Sequence, residues 1–195
     1  MLNENKLYTI HEQFGKSLHS AIPELEKIHY KSLFKNILTA IDCIHSVGIM
    51  HSDLKPSNIL IDTENNVKII DFGLSNYLGI SPTLDIINAY ICTEHFKAPD
   101  FRKSYQSDSY SIAVTMYTIM SMQYHTLILD DDDILAIDYL GEIVGDVSNL
   151  IKSDLGEVGY DLIFNLLNTN IRNRPTAKEA LKHPYFLKRK KVVPL

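Results

Sequence analysis

The spacing of apolar residues changes several times along the chain, and each change predicts an element. Between Glu24 and Gly48, Leu33, Ile37, Ile41 and Ile44 recur at intervals of four, four and three, so they share one face of a long amphipathic helix. Gly48 is a natural stop for it. Upstream, KLYTIHEQF (6–14) is rich in β-type residues and predicts a strand ending near Gly15. Downstream, the short runs NILI (58–61) and VKII (67–70) flank the turn residues TENN (63–66), the pattern of a β-hairpin. From Leu74 to about Arg102 no period is sustained, and long segments of that kind are usually functional or disordered. Helical character returns at SDSYSIAVTMYTIMSM (107–122) and breaks around LDDDD (129–133). Its stretch IAVTMYTIM (112–120) has no charged face, yet at nine residues it falls far short of the roughly 20 that span a bilayer. It predicts a helix buried on most sides. Near the end, Thr176 and Glu179 form a helix-start pair in RPTAKEALKHPYF. The expected fold class is mainly α, with one small hairpin and a residual strand before it.

Composition narrows the function classes. With 195 residues, no internal repeat and no low-complexity linker, one domain is expected. A net charge of −5 and a pI near 5.9 argue against nucleic-acid binding by bulk electrostatics. Cys43 and Cys92 match no zinc or redox spacing and predict free buried thiols in a reducing, intracellular compartment. The first residues show no basic segment followed by an apolar one, so neither a secretion signal nor a membrane partner is expected. LDDDD lacks calcium-loop spacing and reads as a solvated loop or helix start. The remaining histidines show no metal-ligand spacing, and His183 reads as structural.

The chemistry concentrates in IMHSDLKPSNILI (49–61), where Asp53, Lys55 and Asn58 lie on the loop leading into the hairpin. Asp71 follows directly after the second hairpin strand, so strand pairing returns it beside Asn58. A carboxylate and an amide oxygen there suit Mg²⁺, which takes few protein ligands and completes its shell with phosphate oxygens and water. Lys55 could neutralise a transferring phosphoryl group, and Asp53 could accept or align the proton of an attacking hydroxyl. Together they fit phosphoryl transfer, where positioning and charge stabilisation supply most of the catalysis. The blander alternative for Asp53 and Asn58 is local capping of the loop.

This segment resembles the catalytic loop H-R-D-x-K-x-x-N of eukaryotic-type protein kinases, and DFG (71–73) matches that family's metal-binding motif. DLKPSN is similar to the serine/threonine branch. In family order follow TEHFKAPD (93–100), similar to the T-x-x-Y-x-A-P-E end of the activation segment, and SDSYSIA (107–113), similar to the start of the central helix. NRPTAKEALKHPYF (173–186) resembles the last conserved helix. The resemblance implies a serine/threonine kinase large lobe that uses ATP and Mg²⁺ on a protein hydroxyl. By it, Asp53 is the catalytic base or orienter, Lys55 contacts the γ-phosphate, and Asn58 and Asp71 hold Mg²⁺. Leu60 floors the adenine, while Glu12 and Phe14 belong to the hinge that bonds its edge. His51 and Phe72 stack in the internal spine, and Thr93 lies near Asp53. Asp108 braces the catalytic loop, Arg174 pairs with Asp100, and His11 takes the gatekeeper position.

Some of the family's parts are not found. No G-x-G-x-x-G loop, V-A-I-K lysine or partner glutamate is seen, and Lys6 does not stand in for that lysine. Residues 1–15 therefore read as a remnant of the last small-lobe strand with the hinge, 16–187 as the large lobe and 188–195 as a basic tail. Losing one preorganised donor costs about 10²–10³ in kcat, so weak or undetectable ATP turnover by this chain alone is expected. Ser52 replaces the family's Arg, which removes the usual phosphorylation switch. Asp100 in place of Glu shortens the reach to Arg174. The alternative reading is a kinase mimic that binds a kinase or its substrate. In either case the surface facing the small lobe is expected to be bare and to mediate a dimer or hetero-complex. KRKK (188–191) is open between a nuclear-import or docking patch and a plain basic tail.

Overall fold

The structure is a computed structural model that describes residues 12–77, 93–100, 104–124 and 137–187, with the backbone alone at 28, 94, 122–124 and 137–148. The elements run β1 (Lys16–Ser17), α1 (Leu18–Ala21), α2 (Tyr30–Ser46), β2 (Ile49–Met50), β3 (Ile59–Ile61), β4 (Val67–Ile69), β5 (Asn76–Tyr77), α3 (Tyr105–Tyr124), α4 (Ile137–Leu166) and α5 (Ala177–Ala180). This is the helix-rich architecture with few strands that the hydrophobic pattern predicts.

The long amphipathic helix forms, but starts six residues late. Single 3₁₀ turns cover Ile22–Glu24, with a Pro at its start, and Lys27–His29, and between them Leu25 and Glu26 are extended. The helix therefore begins at Tyr30. Leu33, Ile37 and Ile41 are fully buried on its inner face, and Ile44 packs at the margin of the core. Gly48 follows with φ +84° and donates to the His45 carbonyl at 3.0 Å, ending the helix as expected.

The hairpin also forms, with Ile59 opposite Ile69, Leu60 opposite Lys68 and Ile61 opposite Val67. Ile59 and Ile61 point into the core, while Leu60 faces the other side. Of the early strand expected at 6–14, residues 6–11 lie outside the described residues. Residues 12–15 have no regular structure, and β1 pairs antiparallel with β3 at Lys16–Ser17. Gly15 immediately precedes β1. Its φ of +36° brings the backbone so close to β3 that a Cβ would collide with the Ile61 carbonyl oxygen. The pairing of β2 with β5, which ties Ile49–Met50 to Asn76–Tyr77, has no counterpart in the sequence reading.

Every residue from Ile112 to Met120 is buried, as expected for a central helix. It packs against α2, α4 and α5, and the main buried cluster extends from Leu18 to Phe186. Burying each of its Leu, Ile or Phe side chains is worth roughly 1.5–3 kcal/mol. At the far end the capping box forms: Thr176 Oγ1 accepts from Glu179 N, and a Glu179 carboxylate oxygen accepts from Thr176 N at 2.9 Å. The helix it opens lasts only four residues. Cys43 corrects one expectation, since it is free but exposed on α2. Cys92, His11, LDDDD and most of the irregular 74–102 stretch lie outside the described residues.

Candidate active site

The loop after β2 turns sharply because Ser52 adopts φ +68°, a left-handed conformation that costs a non-glycine residue of order 1 kcal/mol or more. Asp108, at the start of α3, holds that turn. Its Oδ2 accepts from His51 N at 2.8 Å and its Oδ1 from Ser52 N at 2.9 Å. The same Oδ2 lies 2.8 Å from His45 Nε2, so the last turn of α2 joins the brace. Asp108 is almost fully buried, where an unpartnered carboxylate would be costly; its hydrogen bonds offset that cost. The His51 ring is pinned at both nitrogens. Nε2 donates to the Ile70 carbonyl at 2.9 Å, and Nδ1 accepts from Asp53 N at 3.2 Å. This pattern assigns the neutral tautomer with the proton on Nε2.

The brace directs Asp53 towards the 93–100 segment. Asp53 Oδ1 accepts from Thr93 Oγ1 at 2.8 Å and from Thr93 N at 3.2 Å. Asp53 Oδ2 accepts from Asn58 Nδ2 at 3.0 Å, and Asn58 Nδ2 also donates to the Asp53 main-chain carbonyl at 2.8 Å. Lys55 Nζ donates to Thr93 Oγ1 at 3.1 Å and stands 3.8 Å from Asp53 Oδ2. The Asp53 side chain is about nine-tenths shielded, at 10% exposure, so the ammonium acts on it with little solvent screening. An oriented carboxylate and a cation thus converge on one hydroxyl-bearing residue, an arrangement suited to aligning a hydroxyl beside a negatively charged group.

On the hairpin side, Ile70 N donates to the Asn58 carbonyl at 3.0 Å, which carries the chain back past Asn58 to Asp71 as the strand pattern predicts. Asp71 sits at φ +64° and its Oδ1 accepts from Gly73 N at 3.3 Å. With the Asn58 NH₂ committed to Asp53, the amide's free pole is its oxygen. Asn58 Oδ1 and the Asp71 carboxylate are a hard oxygen pair of the kind Mg²⁺ takes. Among the described residues no group of three or more His, Cys, Asp or Glu could hold a metal, so a cation here would draw its remaining ligands from phosphate or water. Phe72 meets the His51 ring edge-on with centroids 5.0 Å apart. Its outer side is open, with Phe72 45% and Ile70 37% exposed.

Leu60, Glu12 and Phe14 gather around a residue the sequence reading passed over. Lys68, opposite Leu60 in the hairpin, ion-pairs with Glu12, and its Nζ stands 4.5 Å from the centre of the Phe14 ring. The Lys68 hydrogen bond and charge hold the Glu12 carboxyl below its ordinary range. The alternation of the hairpin signals Lys68, because Leu60 and its cross-strand partner must share a face. The Asp108–His45 contact has a fainter signal: His45 lies four residues after Ile41, on the buried stripe. Arg174 is fully buried and its Nη1 reaches Asp100 at 2.9 Å despite the shorter acid. It also donates to the Asn168 and Gln106 carbonyls at 2.8 and 3.1 Å and stacks on Tyr110.

Comparison with known proteins shows the family and the fold. The family model described as the protein kinase domain matches residues 1–186. Mitogen-activated protein kinase 10 of Oryza sativa subsp. japonica is 28% identical, the match covering 92% of this chain and 35% of the relative. Sperm motility kinase 2B of Mus musculus is 30% identical, covering 98% of this chain and 40% of the relative. The chain thus spans well under half the length of these relatives. A chain in the crystal structure of the yeast RNA Pol II CTD kinase CTDK-1 complex superposes with a TM-score of 0.70 at 22% identity. That match covers 94% of this chain and 71% of the other, and shows the fold.

Proposed function

The chain belongs to the protein kinase family, and from that premise we propose that its site transfers the γ-phosphoryl group of ATP to a serine or threonine hydroxyl of a protein. The observation that carries this reading is the Asp53 carboxylate, held by Thr93 and Asn58 with the Lys55 ammonium alongside. In this reading the substrate hydroxyl takes its place against Asp53, which aligns it and receives its proton as oxygen bonds to phosphorus. Lys55 stabilises the charge on the transferring group while ADP leaves. Asn58 and Asp71 would hold Mg²⁺, which supplies charge neutralisation at the phosphates. Leu60 floors the adenine, and the Glu12–Phe14 segment, tied down by Lys68, borders it. The protein is intracellular in this reading, consistent with the absence, among the described residues, of any helix long and apolar enough to cross a membrane.

A second reading is a kinase mimic that binds a kinase or its substrate. It is favoured by the open apolar side of Ile70 and Phe72, the surface proposed to take a partner or a second copy. Thermal melting of the purified chain with millimolar Mg·ATP separates the two. A rise in Tm that disappears in Asp71→Ala supports the nucleotide site. Phosphate transfer that falls at least ~10²-fold in Asp53→Asn supports the catalytic assignment. No shift at millimolar Mg·ATP rejects autonomous catalysis and leaves the binding role.

A further inference from the structure

Away from the site, on the side of the hairpin turn, a groove of ≈ 600 Å³ runs between the β3–β4 turn and the segment joining α1 to α2. Its base is apolar, formed by Ala21, Leu25 and Ile61, and its rim carries Glu24, Glu26 and Asp62. Against these three acids the lining offers one lysine, Lys16, already paired with Glu24. The Asp62 carboxyl is held below its ordinary range, chiefly by the Asn66 side-chain amide, so it is charged at neutral pH. The turn is anchored, since Asn36 Nδ2 on α2 donates to the Asn65 carbonyl at 2.8 Å. A fixed, half-apolar and net-negative groove suits an extended segment that is basic at one end and apolar at the other.

The chain carries one such segment. KRKKVVPL (188–195), outside the described residues, places four cations ahead of Val192, Val193 and Leu195, and Pro194 biases it towards an extended course. The preceding Pro184–Phe186 turn packs against α2, just after groove-lining His29. Lys31 on α2, two residues after groove-lining His29, has its Nζ 5.3 Å from the centre of the Tyr185 ring. Lys27, beside Glu26, bridges to Asp154 on α4 at 3.2 Å. Eight extended residues reach up to about 26–29 Å. We propose that residues 188–195 occupy this groove in cis, with the lysines and arginine on the acidic rim and the apolar residues on the Leu25–Ile61 base. Neither nucleotide binding nor phosphoryl transfer enters into this, so it stands or falls separately from the proposed activity.

The test uses the full chain. Zero-length carbodiimide coupling followed by peptide mass spectrometry is expected to join Lys188, Lys190 or Lys191 to Glu24, Glu26 or Asp62 within one molecule, and to stop doing so at 0.5 M salt. A mixture of isotopically light and heavy chains tells the in-cis link from a link between copies. Separately, a fluorescent KRKKVVPL peptide is expected to bind at least tenfold more tightly to a chain with residues 188–191 changed to Glu than to the unchanged chain. Adding Glu24→Lys and Glu26→Lys to that variant should abolish the binding, with circular dichroism and melting confirming the fold. Mixed-isotope links only would overturn the proposal and assign the groove to a second copy. Equal peptide affinity for both chains would overturn it and leave the groove to a segment of another protein. No peptide binding to either chain would overturn it outright.

Discussion

The two sides of the candidate site are held together by different means. On the α3 side, a buried carboxylate accepts from two backbone amides and a histidine, and the turn it braces carries Asp53. On the hairpin side, the 12–14 segment is tied by one exposed lysine, with Glu12 78% and Lys68 42% exposed. Charge interactions are strong where water is excluded and weak where it is not. The half around Asp53 is therefore preorganised by the fold, whereas the half around Lys68 has its geometry set by contacts that solvent can easily reshape. The open faces of Ile70 and Phe72 lie on that second side.

Removing the brace should have the largest effect. Asp108→Ala strips partners from His45 and from the His51 and Ser52 amides, and should cost about 3–5 kcal/mol in urea unfolding. Retention of full stability would erase the contrast between the two sides. Core truncation at Ile37→Ala should cost about 2–5 kcal/mol, which gives a packing baseline for the brace. Thr176→Ala, at the capping box, should cost about 1 kcal/mol. Its effect should also depend on pH. Hydrogen bonds to Thr176 hold the Glu179 carboxyl below its ordinary 4.5, so their stabilisation is present above pH 4.5 and is lost as pH falls through the lowered value. The difference between Thr176→Ala and the unchanged chain should therefore shrink in acid.

Smaller still is the alkaline behaviour of Tyr185, whose hydroxyl is pushed up to about 12 by burial. Because the folded value lies above the ordinary 10.0, the stabilisation is intact below pH 10 and lost as pH rises towards 12. Tyr185→Phe should flatten that part of an alkaline unfolding profile. The smallest effect falls on the open side: Lys68→Ala should leave the melting temperature within about 1–2 °C, while loosening the Glu12–Phe14 segment enough to reduce any Mg·ATP-dependent shift. A large loss of stability there would show that the two sides are not held differently after all.

Much of this was legible beforehand where local pattern and burial agree. Leu33, Ile37 and Ile41 mark α2 because a helical period and a buried face demand the same residues. The 112–120 run marks a central helix because it carries no charged residue and is mostly apolar. Pairing of the two short runs in a hairpin placed Asp71 after Asn58. Boundaries were less legible. Tyr30 starts α2 because Leu25 and Glu26 are extended between two 3₁₀ turns, and Gly15 serves a close approach to Ile61 that involves residues 46 apart.

The sequence by itself determined the candidate site residues, their order and the family they indicate, since motif spacing is a local property of the chain. The resemblance already implied that Thr93 lies near Asp53 and that Asp108 braces the loop; only the tertiary structure decided which atoms meet there, that Ser52 takes a left-handed turn, and that Lys68 gathers Glu12 and Phe14. Each of those contacts joins residues 40 to 56 positions apart. Hydrogen bonds and ion pairs act over about 3–4 Å, so contacts at such separations are set by the packing of whole elements and leave little trace in the spacing along the chain.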